Sequence, residues 1–377
     1  MKEGWEVKKL GDAIEIRNGR NQQQVLSQVG QYPILGSAGN VMGYSTDYIC
    51  EAGTTIIGRK GNISKPIFIN EKFWNVDTAF GFYPKNIKDL DCKFIYYLCL
   101  GIEFEKLNRG TTIPSLVKSE LQQIEISLPK SISEQQRIVF ILDEAFAVID
   151  QAKENLQRNL QNAKELYKSY LQSVFVNKGE GWEVKTLGDI GKPSMCKRIL
   201  KHQTSLTGDI PFYKIGTFGK TPDAFISKEI YNEFRTKYSF PKKGDILISA
   251  SGTIGRRVRY DGEPAFFQDS NIVWIDNNEK QVLNDYLYVF YEFCDWQPSK
   301  GATISRLYNS NLTSIKIVFP KSIGEQEKIL KKTNAVSTET KKIEAIYKQK
   351  INDLEELKKS VLHKAFSGQL KTNEVTV

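Results

Sequence analysis

The spacing of apolar residues across positions 134–176 predicts one long helix. This segment has neither Gly nor Pro, and its apolar residues recur three and four positions apart, as they do on one helix face. Two successive steps of four lead from Ala152 through Leu156 to Leu160, a stutter that locally unwinds a coiled coil. The seam comprises Ile138, Leu142, Ala145, Ile149, Ala152, Leu156, Leu160, Ala163, Tyr167, Tyr170 and Val174.

The same design returns 191 residues later. Eight of the eleven corresponding positions are apolar, and the stutter falls at the same place, from Tyr347 to Ile351. The second seam comprises Ile329, Thr333, Val336, Thr340, Ile343, Tyr347, Ile351, Leu354, Lys358, Val361 and Ala365. At 1.5 Å per residue each helix would span on the order of 60 Å. We expect the two seams to pack on each other; the alternative is that each packs only on its own globular domain.

Shorter repeated sequence motifs show that the whole chain is an internal duplication. Gly4–Asp12 returns as Gly181–Asp189 with eight identities in nine. At 54–63 and 245–255, β-branched residues precede glycines, which predicts a strand and a tight turn in each half. The middles of the two globular parts, 17–50 and 190–245, have diverged almost completely. The predicted order is globular, helix, globular, helix.

Composition narrows the class of protein without deciding its function. The 377 residues suffice for two or three domains, and 40% hydrophobic with 26% charged residues is ordinary for a globular chain. No apolar stretch reaches membrane-span length, and the polar start is not expected to be a signal peptide. The five scattered cysteines predict reduced, buried thiols. The net charge of +9 permits nucleic-acid binding but does not require it.

Catalytic readings find little support in the residues. Two histidines, His202 and His363, give no metal cluster or Ser-His-Asp set. Gly219-Lys220-Thr221 resembles the end of a phosphate loop, but Lys214 stands where the required first glycine belongs. An Asn-Pro-Pro-aromatic tetrapeptide, a glycine-rich methyl-donor loop and a nuclease-type acidic motif are also lacking. We therefore expect a chain that binds and spaces, without a cofactor or metal of its own.

The repeated motifs resemble those of the specificity subunit of type I restriction-modification systems. They are Gly-Trp-Glu-Val-Lys-x-Leu-Gly-Asp opening each half, Ile-Ser-x-Ser-Gly-Thr-Ile-Gly at 248–255, Gly-Thr-Thr-Ile-Pro-Ser-Leu at 110–116, and Leu-Pro-x5-Glu-Gln-x-x-Ile at 128–138. The resemblance implies an α+β fold in which two α/β target recognition domains stand in pseudo-two-fold arrangement, separated by an antiparallel coiled coil. The implied boundaries are 1–130 and 179–321 for the domains, and 131–178 and 322–377 for the central and distal helices.

The resemblance also implies partners and a division of labour. Each domain would read one half of a bipartite, asymmetric sequence in double-stranded DNA, and the helices would set the gap. Two adenine methyltransferase subunits would clamp around the chain, with restriction subunits outside. The methyl donor and ATP would belong to those partners, and the complex would work in a prokaryotic cytoplasm, away from membranes.

Candidate DNA contacts fall into two groups. The diverged regions carry side chains able to read guanine and adenine edges, namely Arg17, Arg20, Asn21, Gln22 and Gln23, and then Lys197, Arg198, His202 and Gln203. The shared turns and words carry residues suited to phosphates: Arg59, Lys60, Asn62, Arg109, Thr111, Thr112, Ser251, Thr253, Arg256, Arg257, Lys300 and Thr303. For the turns, the alternative is a solvated hairpin. The first turn departs in sequence from the second, so the two are not expected to contact DNA alike.

Three other functions remain open at this level. The chain could be the detached specificity subunit of a type II restriction enzyme, which neighbouring genes would reveal. It could be a coiled-coil adaptor whose globular ends bind proteins, and salt-dependent affinity for duplex DNA would argue against that. An enzyme is the remaining class, tested by assaying methyl transfer with this chain alone, and we expect none.

Overall fold

The chain folds into two compact units that each draw on both long helices. The computed structural model describes residues 3–176, 179–297 and 305–370. The units divide between Arg158 and Asn159, and again between Ile346 and Tyr347. The first unit therefore contains the first globular half and the end of the second long helix. The second unit contains the remainder, and each is described by itself.

Within the described residues, the first half of the chain has nine strands and three short helices, followed by a long helix that continues from the first unit into the second. The strands are β1 (Trp5–Lys9), β2 (Ile14–Asn18), β3 (Tyr32–Leu35), β4 (Val41–Ser45), β5 (Thr54–Gly58), β6 (Ile67–Ile69), β7 (Trp74–Asn75), β8 (Ala79–Pro84) and β9 (Glu125–Pro129). The helices are α1 (Leu10–Ala13), α2 (Cys92–Gly101), α3 (Lys118–Gln122) and α4 (Ile132–Val176), with a 3-10 turn at Phe104–Leu107.

The second unit repeats this order of elements with variations. Its strands are β10 (Trp182–Thr186), β11 (Gly191–Ser194), β12 (Ile210–Tyr213), β13 (Phe225–Ile226), β14 (Ile246–Ser249), β15 (Arg257–Arg259), β16 (Phe266–Phe267), β17 (Ile272–Asn277) and β18 (Lys316–Pro320). Its helices are α5 (Leu187–Ile190), α6 (Lys228–Lys237), α7 (Asn284–Phe293), α8 (Asn309–Ser314) and α9 (Ile323–Phe366), with a 3-10 turn at Lys201–Gln203. The residues of α9 from Tyr347 onward belong to the first unit.

The two units share one sheet topology. A four-stranded sheet has the order β2-β8-β5-β6 in the first unit and β11-β17-β14-β15 in the second. A three-stranded sheet has the order β4-β3-β7 or β13-β12-β16, and its inner strand pairs in parallel with the last. A two-stranded ribbon, β1-β9 or β10-β18, precedes the long helix. The regions that diverged in sequence therefore still follow one chain path, and α6 is an insertion specific to the second unit.

The long helices match the predicted seams closely. α4 has 45 residues and α9 has 44. Every seam residue of α4 is buried or half-buried, and so is every seam residue of α9 except Ile343, which is 41% exposed. The predicted spacing of apolar residues therefore identifies the covered face of both helices.

The two helices run antiparallel where they meet inside the first unit. Asp150 accepts from the Lys358 ammonium at 2.8 Å, and Lys153 pairs with Glu355. One residue number falls as the other rises, which fixes the direction. Inside the second unit, the end of α4 and the start of α9 share a core, through Phe175 and Leu330. The α+β class with two globular domains and paired long helices is confirmed, while the exact domain boundaries stay a prediction.

The five cysteines are all free thiols. Cys50, Cys99 and Cys196 are buried, and Cys92 and Cys294 are half-buried. Burial raises the pKa of Cys50 and of Cys196 to about 12, so these thiols stay protonated at neutral pH. Cys50, Cys99 and Cys196 are buried members of the hydrophobic cores.

Candidate nucleic-acid interface

In each unit the predicted contact residues gather at one end of the four-stranded sheet. Asn18 lies opposite Phe80 and Gly58 lies opposite Ala79, so β2 and β5 end where β8 begins. In the second unit, Ser249 at the end of β14 lies opposite Ile272 at the start of β17. The segments leaving and entering the sheet at this end carry most of the candidates.

The turn after the central strand places a glycine of positive φ at the same position in both units. Gly61 has φ +81° and Gly252 has φ +65°, backbone conformations that residues other than glycine rarely adopt. The amide of Ile63 donates to the Gly61 carbonyl, and that of Ile254 donates to Gly252, both at 3.0 Å. The two turns share this glycine and this hydrogen bond, but the second turn has a further glycine of positive φ, Gly255 at +83°, where the first has Ser64.

A second shared segment lies against each turn. Lys60 is bridged to Ser115, and the Leu116 amide donates to the Arg59 carbonyl at 2.9 Å. The corresponding bridge joins Ser251 to Arg306, and the Leu307 amide donates to Ala250 at 2.8 Å. Two sequence motifs whose bridged residues lie 55 positions apart, 60 with 115 and 251 with 306, thus form one surface in each unit. The candidates Lys300 and Thr303 lie outside the described residues.

The cations of the first unit divide into engaged and exposed side chains. The Arg17 guanidinium donates to the Glu15 carboxylate at 2.9 Å and to the Ile49 carbonyl at 3.1 Å. The hydrogen bond from Arg17 holds the pKa of Glu15 below its usual value. Arg109 is exposed and pairs with Glu120 at 2.9 Å. These contacts leave Arg17 and Arg109 less able to contact DNA.

The remaining candidates of the first unit offer polar groups at its surface. Arg59 donates to the Asp77 carbonyl at 3.2 Å, which holds its side chain against the loop before β8. Asn21 accepts from the Gln23 amide at 2.9 Å and so closes a small turn. The exposed or half-exposed side chains are Arg20, Asn21, Gln22, Gln23, Lys60, Asn62, Thr111 and Thr112.

In the second unit one of the diverged candidates lines a groove of about 630 Å³. Arg198 lines it and pairs with Asp269 at 2.9 Å, although the Arg198 side chain remains 68% exposed. The Lys197 ammonium lies 4.6 Å from the centre of the Tyr238 ring. His202 is exposed in the adjoining 3-10 turn, where Gln203 accepts from the Leu200 amide at 2.9 Å. The open groove is lined by apolar residues together with three cations and two carboxylates, namely Arg198, Lys201, Lys214, Asp223 and Asp269.

The turn residues of the second unit form a hydrogen-bonded group. Ser251 Oγ lies 2.8 Å from Asn271 Oδ1, and Thr253 accepts from the Ser249 hydroxyl through its carbonyl. Arg256 donates to the Phe218 carbonyl at 3.0 Å. Arg257 pairs with Glu292 at 2.6 Å, its side chain is only 19% exposed, and its guanidinium lies 4.5 Å from the Tyr288 ring centre. These contacts hold the mostly buried Arg257 side chain within its own domain.

Sequence reasoning missed two residues of this surface. Arg306 Nη2 donates to the Ser270 carbonyl and to Asn271 Oδ1, both at 3.3 Å, and so joins the turn to the start of β17. Ser270 has φ +60°, an unusual backbone conformation for a residue with a side chain. The position of Arg306 in a shared word was the available signal for it. The strain at Ser270 left no signal in the sequence.

The described residues offer neither a metal cluster nor a membrane-spanning helix. They contain no group of three or more His, Cys, Asp or Glu side chains placed to hold a metal ion. None of the helices in the described part of the chain has the length and apolar character needed to cross a bilayer.

The chain is similar to known proteins over nearly its whole length. The family model of the type I restriction modification DNA specificity domain matches twice, at residues 2–161 and 179–356. A Haemophilus influenzae protein named as a type I restriction enzyme specificity subunit is 42% identical over 353 residues, covering 90% of each chain. The Methanocaldococcus jannaschii MjaIX specificity subunit is 22% identical, covering 98% of this chain and 94% of its own.

Solved structures agree on the fold. A chain from a structure of a type I restriction-modification system, described in terms of complex assembly and conformational transition, superposes with a TM-score of 0.79 at 16% identity and covers 98% of this chain. The specificity subunit from Thermoanaerobacter tengcongensis gives 0.56, also at 16% identity, covering 98% of both chains. At this identity the likeness concerns the fold alone.

Proposed function

Because the chain belongs to the type I restriction-modification DNA specificity family, as a specificity subunit with two recognition domains, we propose that the two sheet-end surfaces are its DNA-reading sites. Each would read one half-site of a bipartite, asymmetric target in double-stranded DNA. The observation that carries the proposal is a contact made in both units. The glycine turn is bridged to a second shared sequence motif, through Lys60 and Ser115 in the first unit and through Ser251 and Arg306 in the second. Both surfaces combine exposed amides and cations, which suit base edges and phosphates.

The diverged segments would supply sequence specificity, and the shared turns would supply phosphate contacts. Arg20, Gln22 and Gln23 in the first unit and Lys197, Arg198 and His202 in the second differ in chemistry, so the two half-sites would differ in sequence. Both turns have a glycine of positive φ and the same short backbone hydrogen bond, a common feature that suits a group present in every DNA sequence. An asymmetric target follows from this division.

The long helices would set the gap between half-sites and carry the partner subunits. Helix length fixes a distance, and about 34 Å of DNA makes one turn. The solvent side of the helices keeps apolar residues such as Val148 and Leu166, 68% and 71% exposed, which suits protein docking. Family membership implies assembly with methyltransferase and restriction subunits. Two adenine methyltransferase subunits per chain is our proposal.

We further propose that the chain performs no catalysis. The methyl donor and ATP would be bound by the partner subunits, and the complex would act on DNA in a prokaryotic cytoplasm. The family match favours this reading over a protein-binding adaptor. A direct assay is methyl transfer with this chain alone, where we expect none.

The decisive experiment is methylation mapping of a host genome with and without this gene, its methyltransferase gene left intact. We expect adenine methylation to disappear at one split motif, which would give both half-sites and the gap at once. An unchanged methylome from an expressed locus would contradict the proposal. The adaptor function would then be tested by identifying protein partners.

A further inference from the structure

A glutamine in the first turn of α4 is entirely buried and fully hydrogen-bonded. Gln135 has no exposed surface. Its Oε1 accepts from the Asp91 amide at 2.9 Å, and its Nε2 donates to the carbonyls of Asp89 and Pro129, each at 2.9 Å. One side chain therefore joins the end of β9, the segment that caps α2, and the start of α4.

The second unit contains the same arrangement. Gln326, in the first turn of α9, is also completely buried. Its Oε1 accepts from the Leu283 amide at 3.0 Å, and its Nε2 donates to Gln281 at 2.7 Å and Pro320 at 2.9 Å. The elements joined are β18, the start of α7, and α9. We call Gln135 and Gln326 with these partners the glutamine clasps.

A buried glutamine at this place is an unusual way to fill a core. Long polar side chains are mostly exposed, and an apolar side chain of similar volume would pack without needing partners. An amide with both N–H groups and its oxygen in use fixes the directions of three backbone segments at once, because hydrogen bonds are directional. Apolar packing also favours certain helix angles, but with a scatter of about 15–20°. The clasps therefore constrain how each long helix leaves its own domain.

The angle at which a long helix leaves its domain matters because the helix length multiplies any change in it. A tilt of about 5° at the start of a helix displaces a point about 40 Å along it by about 3.5 Å, close to the roughly 3.4 Å rise of one base pair. A small loosening at the first turn is thus enough to change spacing by one base-pair step.

We propose that Gln135 and Gln326 are positioning residues that fix the angle between each recognition domain and its long helix, and so restrict the gap length that the protein accepts. The first part concerns each unit alone. The second part rests on the proposed function, because it needs the two half-sites to be read together.

The first test measures the angle without DNA. Spin labels are placed on full-length protein at Gln157→Cys on α4 and Glu71→Cys in the first domain, both exposed positions, with Cys92 and Cys294 changed to serine. We expect Gln135→Met to shift or broaden the distance distribution by about 3 Å or more. Gln136→Met is the matched control, since Gln136 is exposed on the same helical turn. Identical distributions in the two variants would overturn the proposal.

The second test measures gap selectivity. Methylation is compared, with the partner subunits, on duplexes carrying both half-sites at the native gap and at gaps one base pair shorter and longer. In Gln135→Met and in Gln326→Met we expect the preference for the native gap to fall about tenfold, the worth of roughly one net hydrogen bond. The half-site sequences should stay unchanged, and Gln136→Met should keep the full preference.

The outcomes separate the two proposals. A lower melting temperature with gap preference intact would reduce the clasps to a structural role and overturn the inference. Absence of any gap preference in the unmodified protein would count against the proposed function. The spin-label distances would still show whether the glutamine clasps fix the angle between domain and helix. Should Gln135→Met fail to fold, Gln326→Met is subjected to the corresponding distance measurement in the second unit, because Gln326 makes the equivalent three hydrogen bonds.

Discussion

Whether a basic side chain can contact DNA depends on what it already contacts. Arg17 and Arg257 both carry the charge that suits a phosphate, yet each is paired with a carboxylate inside its own domain, at 2.9 Å and 2.6 Å. Lys60, beside the Gly61 turn, is exposed. Removing an engaged arginine should therefore alter folding stability, whereas removing an exposed turn lysine should alter DNA affinity.

Lys60→Ala should weaken binding to duplex DNA and reduce its salt dependence. A lysine that neutralises one phosphate releases a counterion, so the slope of log K against log salt should shrink by about 0.9. The measurement is fluorescence anisotropy with a labelled duplex at several salt concentrations. Lys85→Ala is the matched control, because Lys85 follows β8 at the opposite end of the same sheet. Equal slopes for the two variants would mean that DNA does not contact this end.

Asp143 offers a second prediction, about stability. Its carboxylate accepts from the buried Tyr97 hydroxyl at 2.5 Å and pairs with Lys93 at 2.7 Å, which joins α4 to α2. Burial first, and then the hydrogen bond to Asp143, raise the pKa of Tyr97, so its hydroxyl stays a donor. Asp143→Ala should lower the free energy of local unfolding by about 1–3 kcal/mol, because the phenol loses its acceptor.

Hydrogen exchange of the α2 amides reads this local free energy. Glu144→Ala, one residue away and exposed, should leave exchange within about 0.5 kcal/mol of the unmodified protein. Unchanged protection of α2 in Asp143→Ala would show that the carboxylate contributes little there.

Local sequence reasoning found the surface residues but could not assign their partners. Arg17 and Glu15 lie two positions apart on β2, and such positions share one face of a strand. That pairing was predictable once the strand was recognised. The contact of Arg257 with Glu292, and of Arg306 with Asn271, joins residues about 35 positions apart. Only the chain path brings these together, and no periodicity in the sequence encodes it.

Secondary structure was most predictable where a pattern repeated. The stutter at Leu160 and at Ile351 predicted two long helices of one design, and both exist. The common sheet order of the diverged middles was not predictable, because the strands are only two to five residues long and their loops differ. The helix α6, present only in the second unit, obscures the correspondence further. The order of paired strands is therefore the same in both units, although the side chains of the diverged regions differ.

The antiparallel ion pairs between the long helices should couple weakly but measurably. Asp150 and Lys358 are 58% and 26% exposed in their side chains, and exposed pairs contribute about 0.2–1 kcal/mol. Lys358→Asp should lower the melting temperature through like-charge repulsion, and adding Asp150→Lys should restore it. Calorimetry of the two single variants and the double variant gives the coupling energy. A double variant less stable than either single variant would contradict the antiparallel register.

The whole molecule behaves as a duplicated design, and this predicts the behaviour of half of it. In the first unit, Leu362 and Ala365 of α9 share a core with Ile138 and Leu142 of α4. A chain ending at residue 178 lacks α9, so these apolar groups lose their cover. A second copy can supply it, because Val174 of α4 occupies the seam position that Ala365 occupies in α9.

We therefore expect residues 1–178 to form a dimer through antiparallel α4 seams. Light scattering after size exclusion should give twice the mass of the fragment, and Leu142→Asp should shift it toward monomer by burying an unpaired charge in the seam. With methyltransferase, the dimer should modify a palindrome made of the first half-site and its inverted copy, since both reading domains are then identical. A soluble, strictly monomeric fragment would contradict pairing through the seam. Methylation of the original asymmetric target by the fragment would contradict the assignment of one half-site to each domain.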